Sequence, residues 1–351
     1  MGRKRTEDTG LPSRVVLNHG SYFYLRPADG KWVNLGKEYP QAMMAWAKLL
    51  QRPGPMVTMA QIMDRYLLEV APAKSKRTFL DNVTEIGNLR AAFGEMLPED
   101  IDARVIYAYL DQRGAPIRAN REISLLSDIF KKAIRWGAAA SNPVTGVEKN
   151  PEIPRNRYVE DWELELFKSV ASPLLRCYCD LKYLTGLRKG DILTIREASL
   201  IDEGIYVVPR KTSKLHPRTG KEIQAKPMLF LWTQELREVV TRIRGLKKGR
   251  AIGSVFLFAT RGGQCYYDAE RSRSDGFDSI WKRYMAKAKI EAEKRGRPLE
   301  HFTEHDIRAK NASDEVNEVD AQQRLGHATV KATKTYRRKV QKVAPLHRKD
   351  A

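Results

Sequence analysis

The 351-residue sequence predicts a multidomain chain: a small N-terminal β-sheet domain, an all-α helical bundle, and a larger mixed α+β domain that is mainly helical. Three observations carry this expectation. Apolar and polar residues alternate through 15–35, the period of a half-buried strand. From Thr58 the apolar spacing becomes helical, and successive segments close on Gly94, Gly114 and Gly137. Beyond residue 155, helical segments resume with a β-rich run, IYVV, set among them. The expected boundaries are 1–52, 56–148 and 155–351.

In the first domain the sequence VVLNHGSYFYLRPADGKWVNL reads as three antiparallel strands, Val15–Leu17, Tyr22–Leu25 and Lys31–Leu35, with a turn in PADGK and a short helix through YPQAMMAWAKLL. A unit of about 50 residues buries little core, so it is expected on a tether, and QRPGP at 51–55 supplies one. Four helices follow: TMAQIMDRYLLEVA, KSKRTFLDNVTEIGNLRAAFG, DIDARVIYAYLDQRG and NREISLLSDIFKKAIRWG. Their short connections make a bundle, which SNPVTGVEKNPEIPRN interrupts. In the third domain DWELELFKSVA, LLRCYCDLKYLTG and DSIWKRYMAKAKIEAEKRG are helical and LIDEGIYVVPRKTS is strand-like, while SVFLFAT is apolar without a readable period.

Composition narrows the partner. Lys and Arg number 63 against 43 Asp and Glu, a net charge of +20, which suits a polyanion because binding phosphates releases counterions. Nucleic acid leads over an anionic membrane surface, for which no basic amphipathic helix is present. No apolar run approaches the roughly 18 residues of a membrane span. The N-terminus lacks the apolar segment of a secretory signal, so the chain is expected to stay where it is made. The three cysteines, Cys177, Cys179 and Cys265, form no Cys-x-x-Cys pair, which argues against a disulfide framework or a structural zinc site. Basic residues available for DNA contact are Arg3, Lys4 and Arg5 at the N-terminus and Lys74, Lys76, Arg77, Arg118, Arg121, Lys131 and Lys132 on the helices. Any one of these also suits an ordinary solvated surface.

Four stretches of the third domain carry residue types suited to a phosphodiester. TGLRKGDIL places Arg188 after Gly186, with Asp191 three residues on, where it could pair with Arg188. PRKTSK puts Lys211 in a turn after a strand. HDIR sets His305 and Arg308 one helical turn apart. LGHATVKATKTY brings His327 and, nine residues later, Tyr336. Singly, each is ordinary; an Arg and an Asp at i, i+3 are usually a surface ion pair.

Together and in this order, the stretches resemble the tyrosine recombinase (phage integrase) family, whose pattern runs Arg, Lys, His-x-x-Arg, Leu-Gly-His and then Tyr nine residues after that His. The N-terminal sheet is similar to the arm-site-binding domain of lambda-type integrases, and the helical middle to their core-site-binding domain. The resemblance implies a catalytic set of Arg188, Lys211, His305, Arg308, His327 and the nucleophile Tyr336, supported by Asp191, with no metal and no cofactor. It also implies double-stranded DNA at core-type and arm-type sites as partner, a homotetramer on that DNA, accessory bending and directionality factors, no membrane, and a place in the cytoplasm of a bacterial host, at the nucleoid.

The chemistry is consistent with the pattern. A phosphodiester under attack gathers charge on its non-bridging oxygens, and two guanidiniums, Arg188 and Arg308, can meet it with parallel hydrogen bonds. His327 adds a donor, and His305 accepts or orients the Tyr336 proton. The leaving 5′-oxygen takes a proton from Lys211, which directly precedes Thr212; the long basic hairpin also offers Lys214. The competing readings are a non-catalytic DNA-binding regulator of the same fold, a type IB topoisomerase-like DNA-relaxing enzyme, and a metal-dependent nuclease, which would want clustered carboxylates. The apolar Val340, Val343 and Leu346 of the C-terminal tail need cover from the chain's own core or from a neighbouring protomer.

Overall fold

The computed structural model describes residue 11, residues 14–26, 30–49, 57–210, 214–215, 222–223, 226–248 and 253–340, and residue 345. The chain divides into two compact units, one of Met1–Leu68 with Asn82–Asn150 and the other of Glu69–Asp81 with Pro151–Ala351.

In the first unit three antiparallel strands, β1 (Val15–Asn18), β2 (Ser21–Leu25) and β3 (Trp32–Gly36), pair in that order and lead into α1 (Tyr39–Leu49). The β1–β2 turn rests on His19 and Gly20, both at positive φ, the backbone that lets a two-residue loop follow the strand twist. Val15 pairs with Tyr24 and Tyr24 with Val33, so the alternation of the sequence becomes one inward face. Val15, Tyr24, Leu35 and Ala42 form a small core of their own. The strands lie within one residue of the sequence expectation. The linker QRPGP, the basic start Arg3, Lys4 and Arg5, and residues 27–29 of the PADGK turn lie outside the described residues.

The helices are α2 (Met59–Glu69), α3 (Lys76–Phe93), α4 (Ala103–Gln112) and α5 (Pro116–Arg135). The Asp102 side chain caps α4 by accepting the Arg104 and Val105 N–H groups, and Pro116 opens α5, where its missing N–H costs nothing. Along α5 the buried side chains include Ile123, Leu126, Ile129 and Phe130, the spacing the sequence showed. Glu122, also buried, is held by Arg113, Tyr109 and Asn88.

The second unit runs α6 (Asp161–Val170), α7 (Pro173–Thr185), α8 (Lys189–Leu193), β4 (Leu200–Ile201), β5 (Gly204–Val207), β6 (Lys214–Leu215), β7 (Glu222–Ile223), β8 (Met228–Leu231), α9 (Gln234–Gly245), α10 (Asp275–Lys294), α11 (Glu304–Asp314), α12 (Glu318–Leu325) and α13 (Val330–Lys334). Strands β4, β5 and β8 form an antiparallel sheet in that order, and β6 pairs with β7. SVFLFAT is neither helix nor long strand: Phe256 bridges Arg196 and Ala259 bridges Cys265, with Leu257 and Phe258 buried. The core gathers Phe167, Tyr178, Leu181, Ile192, Phe258, Trp281, Phe302 and Ile307. Each such side chain contributes about 1.5–3 kcal/mol on burial. Phe167 packs on Trp281 at 4.6 Å and on Phe302 at 5.5 Å, which fixes the segment leading into α11.

Candidate active site

The site is assembled from the ends of α7 and α12 and the first turns of α11. Helix α7 ends on Gly186, whose φ of 63° lies in the left-handed region and whose N–H closes on Lys182 O at 2.8 Å. A Cβ there would stand 2.6 Å from Asn311 Oδ1 and 2.8 Å from Leu325 Cδ2, so both conformation and space demand glycine. Two residues on, Arg188 is the N-cap of α8 with an extended backbone. Its half-buried guanidinium forms no hydrogen bond or ion pair among the described residues.

Helix α11 is started by Asp306, whose carboxylate accepts the Thr303 N–H at 2.8 Å and its hydroxyl at 2.9 Å. Arg308 follows in the first turns and is 1% exposed. Its Nη1 donates to Gly186 O, and its Nη2 donates to Leu325 O at 2.8 Å and lies 3.1 Å from His327 Nε2. Both carbonyls belong to helix ends that turn on glycine, Gly186 and Gly326, the latter at φ 61°. The helix ends at TGLR and LGH thus present two carbonyl oxygens, those of Gly186 and Leu325, to one buried arginine. Arg308 Nε is buried without a hydrogen-bond partner.

His327 is held on both ring nitrogens. Nε2 faces an arginine, which can only donate, so Nε2 accepts and Nδ1 carries the proton toward Thr333 Oγ1 at 3.0 Å. Thr333 is fully buried in α13. Tyr336 follows α13, its N–H on Thr333 O at 2.8 Å and its carbonyl accepting the Ser313 hydroxyl at 3.0 Å. Its half-buried ring lies 5.4 Å from His305, 5.0 Å from His327 and 5.4 Å from the Arg308 guanidinium carbon. A nucleophile-type hydroxyl, two imidazoles and a buried guanidinium thus meet at one place.

The family model described as the Phage integrase family matches residues 165–342, which contain this whole arrangement. The chain belongs to the phage integrase family. It is 30% identical over 237 residues to the integrase of Enterobacteria phage 434 and 29% identical over the same length to that of Escherichia phage lambda, covering 60% of this chain in each case. The match spans 66% of either relative, just under two thirds of its length. Among solved structures, a lambda integrase tetramer bound to a Holliday junction superposes with a TM-score of 0.63 at 21% identity, over 98% of this chain and 100% of that one. The Tn1549 transposon integrase, residues 82–397 in complex with circular intermediate DNA, gives 0.61 at 17%, over 80% of this chain and 95% of that one. At these identities the structural likeness shows the fold, a multidomain integrase architecture.

The electrostatics of this integrase-family site follow from its burial. Burial, with Lys182 next, pushes His305 down to about 4, and burial with Arg308 and Arg188 does the same for His327. Both imidazoles are therefore neutral at neutral pH. Burial and Arg188 lower Arg308 to about 10, with Tyr336 and Asp191 opposing, so it stays cationic.

Of the residues singled out in the sequence, Arg188, His305, Arg308, His327 and Tyr336 fall within this one region. Lys211 lies outside the described residues, while Lys214 opens β6, which pairs with β7. Asp191 differs from expectation: it does not pair with Arg188. Its buried carboxylate accepts the Arg210 N–H at 2.9 Å. The carboxylate is drawn to the chain that follows β5 instead, where the Arg210 N–H supplies its donor. His327 was expected to donate to a phosphate, and here it accepts from Arg308; donating requires a proton on Nε2, which breaks that contact. Lys76, Arg77, Arg118, Arg121 and Lys131 are exposed, and Lys74 and Lys132 are half-buried. Arg77 is engaged with Asp81 at 3.0 Å.

Sequence reasoning passed over several supporting side chains. Arg338, two residues past the tyrosine, donates to Asp306 at 2.7 Å, with 9% and 1% of the two side chains exposed. Its N–H donates to Ser313 Oγ at 2.7 Å, the same hydroxyl that serves Tyr336 O. The basic run Arg337–Lys339 offered no sign of this, since a charge run ordinarily reads as solvated.

Proposed function

We propose that this chain is a site-specific DNA recombinase, the integrase of a phage or related integrative element, which cuts and rejoins DNA through a 3′-phosphotyrosine. The observation that carries the reading is the half-buried Tyr336 ring set between His305, His327 and the buried Arg308. The Tyr336 oxygen attacks phosphorus as the bond to the 5′-oxygen breaks; His305, neutral and therefore able to accept, receives the phenolic proton. Arg308 and Arg188 hold the non-bridging oxygens, and the family pattern gives the proton for the leaving 5′-oxygen to Lys211, with Lys214 the alternative. The phosphotyrosine keeps the energy of the broken bond, so a 5′-hydroxyl of another strand reverses the step without ATP. Neither a metal nor a cofactor takes part.

The partner is double-stranded DNA, in keeping with the charge of +20. The relative solved on a Holliday junction is a tetramer, and a homotetramer on core-type DNA is the assembly we assign here. The separate apolar core of the N-terminal sheet supports an arm-binding domain over 1–52, with a core-binding helical domain over 56–148 and a catalytic domain over 155–351. Accessory bending and directionality factors and a cytoplasmic, nucleoid-associated place in a bacterial host complete the reading; no described helix is long and apolar enough to cross a membrane. The test is incubation with a nicked suicide substrate carrying the core site, with and without chelator. Wild-type protein forms a covalent adduct in both, and Tyr336→Phe binds but forms none. An adduct with the Phe variant, or a strict need for Mg²⁺, refutes the mechanism.

A further inference from the structure

Behind the site lies a buried charge pair that the mechanism above does not use. Lys182, in the last turn of α7, is 0% exposed. Its ammonium is paired with the carboxylate of Glu304, the first residue of α11, and donates to Leu187 O at 3.1 Å. The Tyr178 hydroxyl donates to Glu304 Oε2 at 3.2 Å, and the Lys182 Nζ stands 5.7 Å from the Tyr178 ring. Leu187 immediately precedes Arg188, and Glu304 immediately precedes His305. The pair therefore joins the two chain segments, 122 residues apart at Gly186 and Arg308, whose side chains meet in the site.

We infer that Lys182 and Glu304 are positioning residues: together they fix the peptide carrying Arg188 to the first turn of α11 and supply the balance of charge that His305 faces. This rests on the recombinase reading. Two lines of physical argument support it. The first is geometric. An ammonium has three donors, and two are committed to groups adjacent in sequence to Arg188 and His305, so any shift of one segment is transmitted to the other. A buried pair contributes little net stability compared with apolar residues of similar size, so a hydrophobic contact would serve a purely structural need as well. The second is electrostatic. His305 faces Lys182 from α7, Glu304, Asp306 and Arg308 from its own helix, and Tyr336 from the segment after α13. Asp306 is already neutralised by Arg155 and Arg338. Lys182 favours the neutral imidazole and Glu304 the protonated one. Burial alone would raise Glu304, but Lys182 holds it below the usual carboxylate value; burial pulls Lys182 down and Glu304 opposes it.

The test uses full-length protein and three variants, Lys182→Met, Glu304→Gln and the double variant. The His305 ring is titrated by NMR without DNA, its signal assigned with His305→Gln, and adduct formation on the suicide substrate is timed. Lys182→Met should raise the His305 midpoint by about one pH unit and Glu304→Gln should lower it, because each removes one neighbouring charge. Adduct formation by Lys182→Met should fall about 10- to 100-fold with core-site affinity within threefold, as expected for misplaced transition-state donors. The inference is overturned if the single variants leave the midpoint and the rate unchanged. It is equally overturned if they unfold while the double variant folds and reproduces the wild-type midpoint and rate, since the pair would then be structural only. A wild type that makes no adduct refutes the recombinase reading, and the titration still decides the charge relation.

Discussion

Gly186→Ala is the sharpest probe of how the site is held. Alanine at φ 63° costs roughly 1–2 kcal/mol in backbone conformation. The new Cβ would also stand 2.6 Å from Asn311 Oδ1 and 2.8 Å from Leu325 Cδ2, and neither neighbour is free to give. Asn311 Nδ2 donates to Tyr183 O at 2.6 Å, and Leu325 is buried with its carbonyl on Arg308. Overpacking of this kind costs about 1–3 kcal/mol, so the substitution should destabilise the second unit by about 2–5 kcal/mol in all. Gly296→Ala is the control: φ is 68°, yet a Cβ there meets nothing within 4 Å. It should cost only the backbone part, roughly 1–2 kcal/mol. Both substitutions restrict the unfolded chain equally, so that contribution cancels between them. Urea unfolding of the full chain, followed by hydrogen exchange in peptides of residues 151–340, separates the two units. Cleavage should fall with Gly186→Ala, which displaces two of the groups holding Arg308, and stay at the wild-type rate with Gly296→Ala. Equal destabilisation by the two substitutions would refute the crowding argument.

Three further outcomes follow from the site and the domain layout. Arg188→Ala and Arg308→Ala should each slow cleavage by about 10²- to 10³-fold, the loss of one transition-state donor, with binding changed far less; gel-based adduct kinetics read this directly. Because His305 and His327 sit at about 4 when folded and near 6.5 when unfolded, the unfolded chain binds more protons between these values. Stability is therefore fully present above pH 6.5 and is lost as pH falls toward 4, and the acid limb of the cleavage rate should lie near 4 rather than 6.5. Removing residues 1–52 should spare cleavage and core-site binding and abolish binding at a second, arm-type sequence, as footprinting would report.

Much of this was legible in the sequence because it rests on local rules. Helices closing on glycine, the alternation of 15–35 and the spacing from His327 to Tyr336 all survive without knowledge of packing. Helix α9 was legible too, with Leu236, Val239, Val240 and Ile243 at helical spacing, although only its neighbours were read. SVFLFAT was not, because a continuous apolar run has no period to distinguish its state. Nor were Lys182 with Glu304, His327 with Thr333, or Asp306 with Arg338. Their meaning depends on partners brought together by the fold, and a lysine or serine in a helix gives no sign in sequence of which neighbour it will meet. Asp191 shows the converse error, where proximity in sequence suggested Arg188 as partner and the fold brought the Arg210 N–H to its carboxylate instead.

The Ser313 hydroxyl, shared between the Tyr336 carbonyl and the Arg338 N–H, has a consequence for how the chemistry is divided among copies. Together with Arg338 on Asp306 and Lys339 on Asp314, it binds the tyrosine and the segment that follows it to the helix that bears Arg308. On the recombinase reading, Tyr336 acts beside the Arg308 and His305 of its own chain, so a chain lacking its tyrosine should not restore cleavage to a companion lacking its arginine.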